Sequence, residues 1–169
     1  YLFSDMGRIG NSRGASSVAF DLGVLYKCDI NDWEGAGWSV GLHVSNLGPK
    51  INYLTSKDAL PATVKVGGAA DLPFLQMHKL TLTADLGYRL SPADVQALSV
   101  SAGAEYAWRE LVMLRGGYHC GDKKKGDASY ATAGAGVEYA GVRLDFAWLF
   151  AGHVYVARNT FWVSLGYSF

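Results

Sequence analysis

The 169-residue chain has 4 prolines, 2 cysteines and a charged fraction of only 18%. Soluble globular domains usually carry about 25% charged residues. It has no uncharged apolar run near the roughly 18 residues a transmembrane helix needs. The best candidate, residues 146–157, is shorter and contains His153. The formal net charge is zero, so the net basic surface that phosphate binding requires is missing and nucleic acid is excluded as a partner. The opening YLFSDMGR lacks the basic start and apolar core of a signal peptide and reads as an internal segment. No GxSxG nucleophile motif occurs. What the chain does have is 21 glycines, 10 tyrosines, 7 phenylalanines and 5 tryptophans, a composition that suits β-structure better than helices.

Period-two alternation dominates and predicts nine strands. The first runs from Ser16 to Lys27, with Val18, Phe20, Leu22, Val24 and Tyr26 on one face and Ala19, Asp21 and Gly23 on the other. The second, Gly37 to Asn46, sets Trp38, Val40, Leu42 and Val44 against Ser39, Gly41, His43 and Ser45. The third is Ala62 to Leu72 and the fourth His78 to Leu90, where Leu80, Leu82, Ala84, Leu86 and Tyr88 alternate with Thr81, Thr83, Asp85, Gly87 and Arg89. The remaining five are Gln96 to Trp108, Leu111 to His119, Tyr130 to Tyr139, Val142 to Phe150 and Thr160 to Phe169.

The connections differ in length. Arg109-Glu110 and Ala140-Gly141 are tight, whereas Asn46 to Pro61, Cys120 to Ser129 and Ala151 to Asn159 are long. Transmembrane barrels show this asymmetry, with short periplasmic turns and longer outside loops. Ten residues at about 3.3 Å each, tilted about 45°, cover an apolar band about 25 Å tall. Trp38, Tyr106, Trp108, Tyr139 and Tyr167 fall at one rim, and Tyr88, Tyr118 and Trp148 toward the other, as interfacial aromatic girdles do. The fold class is therefore an all-β antiparallel transmembrane β-barrel. Bacterial single-chain barrels have even strand numbers, so an odd count marks residues 1–169 as one domain that forms the C-terminal part of a larger barrel.

One face of every strand is apolar. The other carries Asp21, His43, Lys65, Asp71, Asp85, Arg89, Glu105, Arg115, Glu138, Arg143 and Asp145. A two-residue turn at Ala140-Gly141 pairs Glu138 with Arg143, and a three-residue turn around Glu110 pairs Glu105 with Arg115, giving two charge pairs on what becomes the lumen wall. These charges read as a structural lining of a water-filled lumen; nothing in their spacing favours a proton or substrate relay. Cys28 falls at the short-turn end and Cys120 at the long-loop end, far beyond the roughly 7 Å a disulfide spans, so both are expected as free thiols. The histidines show no metal-ligand spacing. The glycines of ATAGAGVEYAG lie within a strand with no helix after it, against a dinucleotide fingerprint. Neither catalytic residues nor a cofactor or metal site is indicated, and the chain is not read as an enzyme. Lys123, Lys124 and Lys125, flanked by Asp122 and Asp127, read as a solvated loop tip, or else as a contact for anionic lipopolysaccharide or a protein partner.

Several stretches resemble a known family: GWSVGLHVSNLGPKINY, LPATVKVGGA, SVSAGAEYAWRELVMLRGGYH, YATAGAGVEYAGVRLDFAWL and the terminal NTFWVSLGYSF. They are similar to the PorV/PorQ family, FadL-like outer-membrane barrels of Bacteroidetes-type bacteria, with VSNLGPKINY and AGAEYAWRELVMLRGGY the most specific. The segment HVYVARNT departs from the family pattern. The resemblance implies a barrel of about fourteen strands, of which nine are visible, in the bacterial outer membrane. It also implies a non-catalytic role in the type IX secretion system: binding the translocon or the C-terminal domain of secreted cargo, and passing cargo to a sortase-like peptidase complex at the cell surface. Outer-membrane lipid and lipopolysaccharide are the other expected partners. The outer loops are then the partner-binding surface, with Lys50, Ile51, Tyr53, Leu54, Lys123, Lys124, Lys125, Val154 and Tyr155 as its candidate residues.

Two other readings compete. A FadL-type channel for uptake of hydrophobic small molecules needs an apolar pocket inside the barrel, which the polar or small inward face disfavours. A soluble lipocalin-like barrel would turn the apolar face inward; alternation alone does not choose between the faces, and the rim aromatics and charged second face favour the membrane version.

Overall fold

The computed structural model describes residues 2–4, 15–52, 57–151 and 160–168. Among these residues thirteen strands occur in chain order: β1 Leu2–Ser4, β2 Ala15–Ser17, β3 Phe20–Asp29, β4 Gly37–Leu47, β5 Ile51–Asn52, β6 Lys57–Asp58, β7 Thr63–Phe74, β8 His78–Arg89, β9 Leu98–Trp108, β10 Val112–Cys120, β11 Tyr130–Tyr139, β12 Val142–Ala151 and β13 Phe161–Tyr167. Nine of them form one antiparallel sheet in the order β13-β12-β11-β10-β9-β8-β7-β4-β3. Each strand of that sheet pairs with its neighbour along the chain, once the β5–β6 pair between β4 and β7 is set aside. The two small pairs, β1–β2 and β5–β6, are separate ladders.

Tight turns gather at one end of the sheet. Residues 75–77, 109–111 and 140–141 join β7 to β8, β9 to β10 and β11 to β12. Ala140 and Gly141 both have positive φ, 52° and 79°, the backbone form that matches strand twist in two-residue hairpins. The β9–β10 turn holds three residues because Val112 is the first to pair, opposite Trp108. The long connections 48–62, 90–97 and 121–129 lie at the other end.

The first strand differs from the sequence expectation. A single strand from Ser16 to Lys27 is broken: residues 15–17 pair with β1, and the sheet strand begins at Phe20. The register with β4 then shifts between Phe20 and Leu22. The extra residue lies on β4, where Asn46 takes φ +56° and its N–H donates to Asp21 Oδ1 at 2.7 Å. On β4 the apolar positions accordingly step from Val44 to Leu47, a three-residue interval that the expected strand end at Asn46 left out.

Exposure is inverted relative to a soluble sheet. Among the described residues no large side chain is fully buried, and the few buried apolar residues are mostly alanines. Leu82, Val100, Leu114 and Phe146, at the centre of the apolar face, are 43%, 42%, 53% and 41% exposed. On the charged face the side chains of Arg115 and Asp145 are only 28% and 22% exposed. Over β9 to β12 the charged face is thus the more sheltered side of the sheet, and it is called the inner face below. Strand residues that pair across the ladder share a face. One row of the inner face thus runs Gly41, Gly67, Asp85, Ser101, His119, Tyr130, and another Asp71, Thr81, Glu105, Arg115, Gly134.

Candidate functional site

The inner face has two differently built halves. Over β9 to β12 its charges are consumed by one another. Glu105 stands opposite Arg115 and Glu138 opposite Arg143. Arg115 Nε donates to Glu105, and its Nη1 donates to Asp145 Oδ1 at 2.5 Å. Arg143 Nε donates to Asp145 Oδ2 at 2.7 Å, and its Nη1 lies 3.7 Å from Glu138. Five charged groups thus form one chain across four strands, ordered Glu105, Arg115, Asp145, Arg143, Glu138. Beside it, Arg115 Nη2 rests on Met113 Sδ at 3.2 Å. Half-sheltered groups of alternating sign gain from mutual proximity and lock the register of the strands that carry them.

Over β3 to β8 the floor is open. A depression of about 450 Å³ is lined by Gly23, Gly41 and Gly67, with His43, Lys65 and Asp85 around it. The side chains of these three residues make no hydrogen bond or ion pair among the described residues.

At the long-loop end the inner face meets loop 121–129. His119 Nδ1 lies 3.0 Å from Ser101 Oγ and its Nε2 3.0 Å from Asp127 Oδ1. The ring stacks on Tyr130 with centroids 4.8 Å apart. A carboxylate can only accept, so in the neutral ring Nε2 carries the hydrogen and Nδ1 accepts from the serine. The order Ser–His–Asp is that of a hydrolase triad, but the surroundings oppose that chemistry. Asp85 pairs directly with Ser101 across the ladder, where its negative charge would disfavour a developing oxyanion. The arrangement is a structural tie.

The basic run divides. Lys125 Nζ donates to Gln96 O and is half-buried, while Lys123 and Lys124 are exposed on a short 3₁₀ turn capped by Asp122, which accepts from Lys124 N at 2.9 Å. Lys50 is exposed beyond β4, and Ile51 belongs to β5. Tyr53, Leu54, Val154 and Tyr155 lie outside the described residues. Cys28 and Cys120 are both free and stand at opposite ends of the sheet. The sequence reading missed Ser101, His119, Asp127 and Arg89 as a connected group. Asp127 is eight residues from His119 across a loop, and no local pattern marks such a closure.

Rim aromatics complete the outer face. Tyr26, Trp38, Trp108, Tyr139 and Tyr167 are exposed at the short-turn end, and Tyr88, Tyr118, Phe150 and Phe161 at the long-loop end. Trp148 stacks between Phe150 and Phe161, with centroids at 6.1 and 6.2 Å.

Comparison with protein families places this architecture. The family model for type IX secretion system protein PorV matches residues 1–96, more than half of the chain. The chain belongs to the PorV family. The matched region includes the GWSVGLHVSNLGPKINY and LPATVKVGGA stretches; the later ones lie beyond it. No curated protein matches this chain. Membership in the PorV family gives it a role in type IX secretion.

Proposed function

We propose that this PorV-family protein is an outer-membrane β-barrel that serves type IX secretion by binding proteins, not by making or breaking bonds. Its outer loops engage the translocon or the C-terminal domain of secreted cargo and hand cargo on to a surface attachment complex. On this reading the nine-stranded sheet is part of a closed barrel, with about fourteen strands as the resemblance implies.

The observation that carries this reading is the inverted exposure. An apolar face spanning nine strands that no other described element covers, opposite a face whose charges are sheltered over β9 to β12, is stable only where something apolar covers the outside. Acyl chains do so in an outer membrane, and the exposed tyrosines and tryptophans at both strand ends fit the two lipid interfaces. Lys50, Lys123 and Lys124 stand at the long-loop end, suited to an acidic partner surface or to lipopolysaccharide phosphates.

Pull-down of the full-length protein from native outer membranes after mild cross-linking, with partners identified by mass, tests the role. Secretion components or cargo should be recovered. Recovery of the protein in the soluble fraction, or from membranes with no secretion component attached, would sink it.

A further inference from the structure

The geometry points to loop 121–129 as a strap folded inward over the long-loop end of the inner face, latched by His119 and Asp127, that closes the lumen to the cell exterior. It rests on the reading of the inner face as a barrel lumen. Three separate ties hold the loop, and each reaches the inner wall or the neighbouring loop. Asp127 accepts from His119, which is itself braced by Ser101 on β9. Arg89, on the inner face of β8, donates through Nη1 to Lys125 O at 3.2 Å. Lys125 donates to Gln96 O in loop 90–97. A loop that joins β10 to β11 is thus pinned above β8 and β9 as well. It crosses the end of the trough and does not stand away from the rim.

The loop's own backbone is built for this path. Gly126 adopts φ +77°, and a Cβ on Gly121 would collide with Asp127, so the inward turn of the carboxylate needs a glycine there. Asp127 N also donates to Asp122 O at 3.0 Å, closing the loop on itself. Of the loop's side chains only those of Lys123 and Lys124 are exposed, so the same strap that shuts the mouth presents the two cations at its crest.

Thr132 lies on the inner face of β11, one inward-facing position deeper than Tyr130, and reports on access past the strap. In full-length protein carrying Cys28→Ser and Cys120→Ser, Thr132→Cys should react slowly with a membrane-impermeant maleimide applied to intact cells. Adding His119→Ala or Asp127→Ala should speed labelling at least about tenfold, the factor expected for loss of one good hydrogen bond. Arg89→Ala, which removes a different tie, should act in the same direction, and Asp127→Asn, which keeps an acceptor, should stay slow. Heat-modifiable gel mobility shows that each variant remains folded. Labelling of Thr132→Cys as fast as that of Lys123→Cys in the latched protein overturns the strap, as does labelling that no latch variant changes. Reaction with a lipid-soluble maleimide alone would instead refute the lumen reading on which the strap rests.

Discussion

Arg115 reaches across β11 to Asp145 through the space left by Gly136. The two charged residues belong to β10 and β12, with Gly136 between them on the intervening strand. A Cβ at Gly136 would collide with Asp145 Oδ1 and approach Arg115 Nη1 to 3.2 Å. The glycine is what allows an ion pair to span three strands. Gly136→Ala should therefore push the Asp145 carboxylate aside, weaken its bond to Arg115 and lower stability by about 0.5–1.5 kcal/mol, the usual net worth of one hydrogen bond. Gly116→Ala is the matched control. It is on the outer face, where a Cβ meets nothing within 4 Å, and should change stability by less than about 0.5 kcal/mol. The midpoint of heat-induced mobility change on gels, measured for both variants in one detergent, separates them; equal midpoints would show that Gly136 holds no passage open.

Orientation is testable at two adjacent residues of one strand. Leu82 lies on the outer face of β8, paired with Ala70 and Ala104, and Thr83 on the inner face, paired with Ala69 and Gly103. A lysine facing the bilayer midplane costs about 2–4 kcal/mol. Leu82→Lys should reduce the folded, heat-modifiable fraction in membranes severely, whereas Thr83→Lys should assemble nearly as the parent does. The reverse outcome would mean that the apolar face is the enclosed one.

Much of this fold was legible because the side-chain period of a strand is two and every sheet strand has one face apolar. From β4 onward the strands of the nine-stranded sheet begin and end within two residues of the expected positions, whereas the short β5–β6 pair was not expected, and the separation of Cys28 from Cys120 followed from topology alone. The pairing of Glu138 with Arg143 follows from turn length, since a two-residue hairpin leaves no freedom of register. What stayed hidden depends on contacts between segments distant in sequence. Asn46 shifts the outer face of β4 from Val44 to Leu47, but a single apolar residue beyond the shift is too short a pattern to separate a bulge from a strand end. Lys125 differs from Lys123 and Lys124 only because Gln96 and Arg89 are above the neighbouring strands. The Arg115–Asp145 contact needs two strands paired on either side of a third, which no single hairpin encodes.

The Asn46 bulge makes its own prediction. A non-glycine residue at φ +56° is strained unless it is Asn or Asp, which tolerate the left-handed region best. Here its N–H is also held by Asp21. Asn46→Gly should be nearly neutral, while Asn46→Val should cost about 1–2 kcal/mol, since a β-branched residue there is a true outlier. Asp21→Ala should fall between the two. Thermal midpoints of the three variants give the order, and a valine variant as stable as the parent would argue that the ladder has slipped to a regular register.

The lysines of loop 121–129 separate binding from folding. Lys123 and Lys124 project from a turn whose backbone is fixed by Asp122 and Gly126, so reversing their charge should leave the protein's heat-modifiable mobility unchanged. If the loop crest meets an acidic protein surface or lipid phosphates, Lys123→Glu with Lys124→Glu should weaken that association about tenfold or more, through lost attraction and added repulsion. The loss should shrink as salt is raised, because exposed charges are screened beyond about 8–10 Å at physiological ionic strength. Lys125→Ala should do the opposite. It removes an inward hydrogen bond, so it should loosen the loop while leaving the outward charge in place. Partner recovery from native membranes at low and high salt, alongside protease sensitivity of residues 121–129, reads both effects. Equal partner loss in the two variants would mean that the loop's shape, and not the charge at its crest, is what the partner recognises.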